Sequence, residues 1–513
     1  MSRREAGSSC TWGSKHEKTD FTNEDKGDLL MKLRELLNEI HVIASNVDMD
    51  MNIESIAYDS RKVEQGGMFV AITGFATDGN RFIPMAMDKG AAVVVTAVEP
   101  AEGVPYVLVE NDRLALALIG ANFYGHPAKS MTMVGVTGTN GKTSTTLLLK
   151  QVLEKTRGAK VGLIGTMENM VGDEIIPTER TTPESFELQA LFARMRDAGC
   201  THVVMEVSSH APVLDRVGGV HFNVAAFTNL TEDHLDFHKT MEEYCAAKAM
   251  LFQRCDKAVV NTDDLFSPSI IEKCPHDTVT VSLTGNGDLN GVYPEYLAEG
   301  VSFEVVGGLD DRYTVNVPIP GKFTVYNTMT VIGIAKQLGV SLEESAAALA
   351  TVQGVKGRVE VVPTPGKDYS VLIDYAHTPD GLDNVLRSVR EFCKGRLIAV
   401  FGCGGDRDPI KRPIMGRIGV ELSDFAVITS DNPRTEDPIA IINDILAGVS
   451  PEMGEYVVEP DRRKAVRYAM DIAKKDDIIV LAGKGHETYQ EINKVKYHLD
   501  EREEVAAHLA ETR

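Results

Sequence analysis

The sequence predicts an α/β protein of three domains whose sheets are mostly parallel. Three observations carry that prediction. At Val134 to Thr145, VGVTGTNGKTST, an apolar run stops at a Gly/Thr-rich turn and the helix-forming run TLLLKQVLEK follows. Around it MTMVGVT, KVGLIGT, HVVMEVSS and KAVVNTDD alternate with helical stretches, as strands joined by covering helices do. Nearer the C-terminus, VLIDYAH, RLIAVFGCGGDRD, FAVITSDNPR and DIIVLAGKGHE are apolar runs that each end in a polar cluster. Ligands bind outside the carboxyl ends of strands in open α/β sheets, so four such ends predict one rim site.

At 513 residues the chain exceeds what one hydrophobic core supports. Residues 1–28 are polar, include Trp12, and are expected to be a disordered tail. From Leu29 a helical pattern, LLMKLRELLNEI, leads into IESIAYDSRKV, GGMFVAI and GFATDGNRFIPMAMDKGAAVVVTAV. These predict a small N-terminal α/β domain over 29–128, leaving through a helix over 113–124 and the turn GHPAKS. A central P-loop domain on a mostly parallel sheet follows over 129–357, with residues 277–320 (VTVSL, VSFEVV, YTVNVPIP) expected as an antiparallel patch. A C-terminal Rossmann-like α/β domain takes 358–513.

The formal net charge of −22 argues against nucleic acid as a partner, since a phosphate backbone calls for a basic footprint. No apolar run approaches a bilayer span and the N-terminus lacks the apolar core of a secretory signal, so a cytoplasmic protein without membrane insertion is expected. Seven cysteines without framework spacing fit a reducing compartment, and Cys245 and Cys255 read as free thiols.

The turn after the first strand of the central domain has the makings of a phosphate cradle. Gly138, Thr139, Asn140, Gly141, Lys142, Thr143 and Ser144 would bring amide groups and a helix N-terminus to an anion. Lys142 would reach the β/γ-phosphates and the Thr143 hydroxyl would sit on Mg²⁺. The spacing departs from G-x-x-x-x-G-K-[ST] because Val136 holds the first position; the blander alternative is a helix cap. Glu206 ends the apolar run of VVMEVSSH, where a P-loop enzyme commonly holds magnesium, although a lone Glu there could face solvent. TNLTEDHLDFH adds Asp233, His234, Asp236 and His238, a cluster compatible with zinc; beside phosphates the oxygen-preferring Mg²⁺ is favoured, with a histidine as an unusual ligand. Lys248, on a helical stretch, reads by itself as a solvated lysine.

TGTNGKT, EVSSH, TNLTEDHLDFH, YCAAK, GRVE, DYAHTPD, FGCGGDRD, DNPRTEDP and GKGHE, in this order over roughly residues 50–500, closely resemble the Mur ligases of peptidoglycan synthesis. Within that family the likeness is to the branch that adds the third residue of the peptide. The resemblance implies that ATP phosphorylates the D-glutamate carboxylate of UDP-N-acetylmuramoyl-L-alanyl-D-glutamate, and that an amino-acid amine then displaces phosphate. It implies Thr143, Glu206, His234 and Lys248 as magnesium ligands, the last as a carbamate derived from CO₂, with Lys142 stabilising phosphoryl charge. Asn327, Arg358 and Asp374 would touch the nucleotide. Ser60 would contact the UDP-sugar, and Thr181, Thr182, Ser208 and Arg216 the peptidyl end. Some relatives carry glutamine two residues before that arginine; this chain has Leu214, which puts one substrate hydrogen bond in doubt.

The resemblance also points to meso-diaminopimelate as the incoming amino acid, because ligases that add it carry arginine in DNPR. Diaminopimelate is lysine with a second carboxylate, and the planar fork of Arg434 can pair with it bidentately. Arg407, Asp431, Asn432, Gly483 and Glu487 would complete the pocket; a surface Arg434 paired with Glu436 or Asp437 is the alternative. The enzyme is expected to act as a monomer. Its rivals are a lysine-adding ligase, a folylpolyglutamate synthetase, which should lack DNPR, and a P-loop NTPase that does not ligate.

Overall fold

The computed structural model describes residues 30–74, 77–178, 180–308, 311–450 and 452–512. The tail expected over 1–28 lies outside them. The chain divides into two compact units, one running to Pro127 and including Pro183–Ala193, the other made of Ala128–Thr182 and the chain from Arg194 onward.

The first unit holds a five-stranded sheet in the order Val42–Ser45, Tyr106–Val109, Val93–Thr96, Met68–Ala71, Ile56–Ala57. All its pairings are parallel except that of the edge strand Val42–Ser45. The exit helix Asp112–Phe123 starts where the Asn111 side chain accepts from the Arg113 and Leu114 amides. It ends ahead of the 3₁₀ turn Pro127–Ser130, as its sequence predicts. Phe186 packs against Phe123 and Tyr124, and Tyr58 donates to Glu187, which ties the segment from Pro183 to this core. The helical pattern at 29–40 yields only one turn, Leu33–Leu36. The amides of Leu33 and Arg34 donate instead to the Met51 and Met49 carbonyls, and a single turn already buries Leu33, Leu36 and Leu37.

The second unit is built on an eleven-stranded and a six-stranded sheet. The parallel centre of the larger runs Val161–Ile164, His202–Glu206, Thr132–Thr137, Phe222–Phe227, Cys255–Asn261, Thr278–Ser282, with antiparallel hairpins at both edges. Strands buried on both faces read as continuous apolar runs, which is why HVVME and TMVGVT stand out in sequence. The antiparallel patch consists of Leu289–Leu297, Gly300–Val306 and Arg312–Val317. VTVSL was expected within it, but Thr278–Ser282 follows the short helix Ser267–Ile271 and so returns parallel to Cys255–Asn261. Helices Lys142–Arg157 and Lys322–Gln337 supply Leu149, Val152, Met329 and Ile334 to the core over this sheet.

The six-stranded sheet is ordered Glu360–Val362, Ser370–Asp374, Ile478–Ala482, Leu397–Phe401, Phe425–Ile428, Tyr456–Val458. It is parallel except at the first edge pair. The four polar clusters read from the sequence therefore leave the carboxyl ends of four neighbouring parallel strands.

Candidate active site

The strand Thr132–Thr137 delivers the cradle and the helix Lys142–Arg157 receives it. Gly141 caps that helix at φ +84°, and a Cβ there would overlap Asn327 Oδ1, so both backbone hand and space demand glycine. The buried Asn327 is thereby brought against the loop. The amides opening the helix have no carbonyl one turn back and face an incoming anion. The loop is clamped from the side by TNLT. Thr139 N donates to Asn229 O at 2.8 Å, Asn140 N to Asn229 Oδ1 at 2.9 Å, and Thr228 Oγ1 to Asn140 O at 2.7 Å.

Two lysines converge on one carbonyl of this loop. Lys142 Nζ donates to Gly138 O at 3.0 Å and to Thr139 O at 2.8 Å, and Lys248 Nζ donates to Gly138 O at 2.7 Å. Burial pushes the Lys142 ammonium below its usual range, with Glu206 and Asp233 opposing and Arg358 adding to the shift. Lys248 lies well below the lysine range through burial, reinforced by Lys142. At 1% exposure it is no solvated helix lysine.

Glu206 is likewise buried at the end of its strand rather than facing solvent. Its Oε1 accepts from Thr143 Oγ1 at 2.9 Å and Thr166 N at 3.0 Å, and its Oε2 accepts from Thr166 Oγ1 at 3.0 Å. Thr143 and Glu206 thus present adjacent oxygens of the kind a hard cation takes. His234 lies 3.4 Å from Asp233, and its ring lies 6.1 Å from that of Tyr244, over which Lys248 Nζ sits at 4.3 Å. Tyr244 also touches Thr139, hydroxyl to hydroxyl, at 3.2 Å.

Beside Glu206 the predicted peptide-contact residues assemble. Thr182 Oγ1 donates to the Glu206 carbonyl at 2.9 Å and accepts from Ser208 N at 3.1 Å, while Arg216 Nη1 donates to Thr182 O at 3.1 Å. Thr181 meets Thr166 hydroxyl to hydroxyl at 3.0 Å. Ser60 is in the first compact unit, buried on the 3₁₀ turn Ser60–Lys62 with its hydroxyl 3.4 Å from Met85 Sδ. Both carboxylate oxygens of Asp374 are engaged, by Val359 N at 2.8 Å and Ala376 N at 2.9 Å, and burial raises its pKa against those bonds. Arg358 lies over the Tyr375 ring at 5.8 Å.

At the rim of the smaller sheet DNPR and GKGHE interlock. Asn432 Nδ2 donates to Glu487 Oε2 at 2.9 Å, and Lys484 Nζ donates to both Asn432 Oδ1 and Glu487 Oε2 at 2.8 Å. A Cβ on Gly483 would come 2.5 Å from Asp431 Oδ2. Arg434 donates to Gly405 O at 2.7 Å and pairs with Glu491 at 3.4 Å. In place of the surface pairing with Glu436 or Asp437, Glu436 is held by the buried Arg412 at 2.8 Å and Asp437 Oδ1 accepts from Ile439 N at 2.9 Å. Arg407 is exposed beside this network, and its neighbour Asp406 accepts from Thr435 Oγ1 at 2.6 Å.

Residues 52–124 match the Mur ligase family catalytic domain, 136–335 the Mur ligase middle domain and 357–485 the Mur ligase glutamate ligase domain. A UDP-N-acetylmuramoyl-L-alanyl-D-glutamate–2,6-diaminopimelate ligase of Clostridium tetani is 47% identical over 92% of this chain and 98% of its own length. The chain belongs to the Mur ligase family. A Mur ligase of the same description from Clostridium acetobutylicum is 46% identical over 94% of this chain and 100% of its own. A solved structure of an enzyme so described superposes with a TM-score of 0.73 at 31% identity, covering 94% of this chain and 99% of that one. As a Mur ligase, the chain is an enzyme that forms amide bonds at the expense of ATP.

Within the Mur ligase frame, several functional neighbours escape a motif-by-motif reading. Thr228, Asn229 and Thr231 hold the cradle, although the chemistry of their motif draws attention to Asp233, His234, Asp236 and His238 instead. Lys484 stands inside GKGHE and is 1% exposed, a burial that a lysine between two glycines does not advertise. Thr166 and Glu491 have no motif to flag them.

Proposed function

We propose that this Mur ligase adds meso-2,6-diaminopimelate to the D-glutamate of UDP-N-acetylmuramoyl-L-alanyl-D-glutamate, through an acyl phosphate, in the cytoplasmic stage of cell-wall peptidoglycan synthesis. The observation that carries the reading is Arg434, a guanidinium held at the rim by Gly405 O and Glu491 rather than spread on the surface. A guanidinium there recognises a second carboxylate, which lysine lacks. Relatives sharing nearly half the sequence bear the name of that activity.

In this reading the cradle Gly138–Ser144 and Lys142 hold the ATP phosphates, with Asn327, Arg358 and Asp374 around the nucleotide; Asp374 acts through the backbone it fixes. Thr143, Glu206, His234 and a carbamylated Lys248 would hold Mg²⁺, a choice supported by the adjoining Thr143 and Glu206 oxygens. When bound, the metal supplies charge for the phosphoryl oxygens. Burial favours the neutral Lys248 amine, the form that reacts with CO₂. Thr181, Thr182, Ser208 and Arg216 orient the peptidyl carboxylate beside Glu206, and Ser60 contacts the UDP-sugar. Arg407, Asp431, Asn432, Arg434, Gly483 and Glu487 seat the amino acid. The enzyme works as a monomer, with domains 29–128, 129–357 and 358–513.

The test is phosphate release from ATP with the UDP-dipeptide present and diaminopimelate, L-lysine or no amino acid added in parallel. Release and a tripeptide product with diaminopimelate are expected. Release with lysine instead would overturn the specificity, and release indifferent to both added substrates would overturn the ligase.

A further inference from the structure

The segment that enters the smaller sheet and the loop GKGHE are packed backbone to backbone. Gly357 has φ +70°, and a Cβ on it would overlap the backbone of Gly485 and His486. Across this contact lies a side-chain clamp. Arg502 Nε donates to Glu360 Oε1 at 2.7 Å, its Nη2 donates to Glu360 Oε2 and, at 3.1 Å, to the Gly485 carbonyl, and its Nη1 pairs with Asp500 at 3.1 Å. Glu360 Oε2 accepts in turn from Gly357 N at 2.6 Å. One guanidinium and one carboxylate therefore hold the amide of Gly357 and the carbonyl of Gly485 together. The base from which Arg502 reaches is rigid. Its neighbour Glu501 forms a fully buried pair with Arg462 at 2.8 Å, and Arg462 donates at 2.8 Å to Ala482 O, the carbonyl just ahead of Gly483.

Arg358 follows Gly357 directly, and Glu487 lies two residues beyond Gly485. We propose that Arg502 and Glu360 are a positioning pair that makes the nucleotide contact Arg358 and the amino-acid contact Glu487 one rigid piece, so that the two substrates report on each other's binding. The proposal rests on the ligase reading above. A two-ended clamp of this kind has a signature that a merely stabilising ion pair lacks: its loss weakens both substrates together.

The experiment is steady-state kinetics on the full chain, wild type against Arg502→Met, Glu360→Gln, the double variant and Arg502→Lys, varying ATP and diaminopimelate in turn and recording Tm. Each single variant is expected to raise KM for both substrates by about tenfold with kcat within about threefold. The double variant should be no worse than either single, and Arg502→Lys, which keeps the charge but loses the fork, should recover part of the loss. Glu511→Gln, on the same helix, should leave both KM values unchanged. The proposal is overturned by additive singles, by a KM change confined to one substrate, by a lowered Tm with both KM values intact, or by an equal effect of Glu511→Gln. If Arg502→Met does not fold, Arg502→Lys and Glu360→Gln carry the same test. Wild-type enzyme that ignores diaminopimelate would sink the ligase reading and the clamp with it; active wild type with unaffected variants would sink the clamp alone.

Discussion

The sites proposed for ATP and for the amino acid, both in the second compact unit, are made of different material. The phosphate cradle is made of backbone: amides at a helix N-terminus and a glycine that no other residue could replace without striking Asn327. The amino-acid rim is made of side chains: Lys484, Asn432 and Glu487 fix one another, Asn432 Oδ1 also accepts from Glu491 N at 2.9 Å, and the Glu491 carboxylate pairs with Arg434. A backbone site recognises what every ATP shares, whereas a network of side chains can distinguish one amino acid from another. Mutations should therefore separate the two by substrate.

The largest expected effect is at the cradle. Lys142→Met should lower kcat by about 10³-fold or more whichever amino acid is supplied, because it removes charge facing the phosphoryl group. Phosphate release measures it, and a loss that depended on the amino acid would blur the distinction. Next comes Arg434→Ala, expected to lower kcat/KM for diaminopimelate by roughly 10²-fold or more while KM for ATP holds. A matching rise in the ATP KM would break the comparison from the other side.

How much of this was legible in the sequence follows from the same difference. The cradle lies in twelve consecutive residues, and a strand, a glycine turn and a helix in register can be read locally. From its residues alone the rim is legible only as four polar strand ends; its pocket residues come from the family resemblance. Which side chain holds which depends on the strand order, with Ile478–Ala482 inserted between Ser370–Asp374 and Leu397–Phe401, and that order is not written in any one segment. Arg434 was singled out, but its partner Glu491 lies 57 residues away and carries no motif. The one-turn helix Leu33–Leu36 and the parallel strand Thr278–Ser282 show the same limit, since remote carbonyls and a neighbouring strand decided each.

Lys484→Met sharpens the comparison further, with a smaller effect on catalysis and a clear one on stability. It removes the ammonium paired with the partly buried Glu487 carboxylate, which keeps only its bond from Asn432 Nδ2, while Asn432 Oδ1 keeps the Glu491 amide, at a cost of about 1–3 kcal/mol. A Tm lower by roughly 5 °C and a raised diaminopimelate KM are expected, read by thermal unfolding and initial rates. The smallest effect is at His486, whose pKa burial holds below its ordinary value, opposed by Glu487 and aided by Arg358 and Arg502. With the folded pKa depressed, the unfolded chain takes up the proton first as pH falls below about 6.5, so stability is lost in that direction. His486→Gln should flatten the Tm decline between about pH 7 and 5, and an unchanged slope would remove His486 from the acid limb.

The measurement that goes to the centre of the account is product analysis by mass spectrometry after wild-type enzyme and Arg434→Lys are each given ATP, the UDP-dipeptide and equal diaminopimelate and L-lysine. Wild type should yield the diaminopimelate tripeptide almost alone, and the variant should lose that preference. A lysine tripeptide from wild type, or an undiminished preference in the variant, would contradict the assignment of Arg434 as the group that reads the second carboxylate.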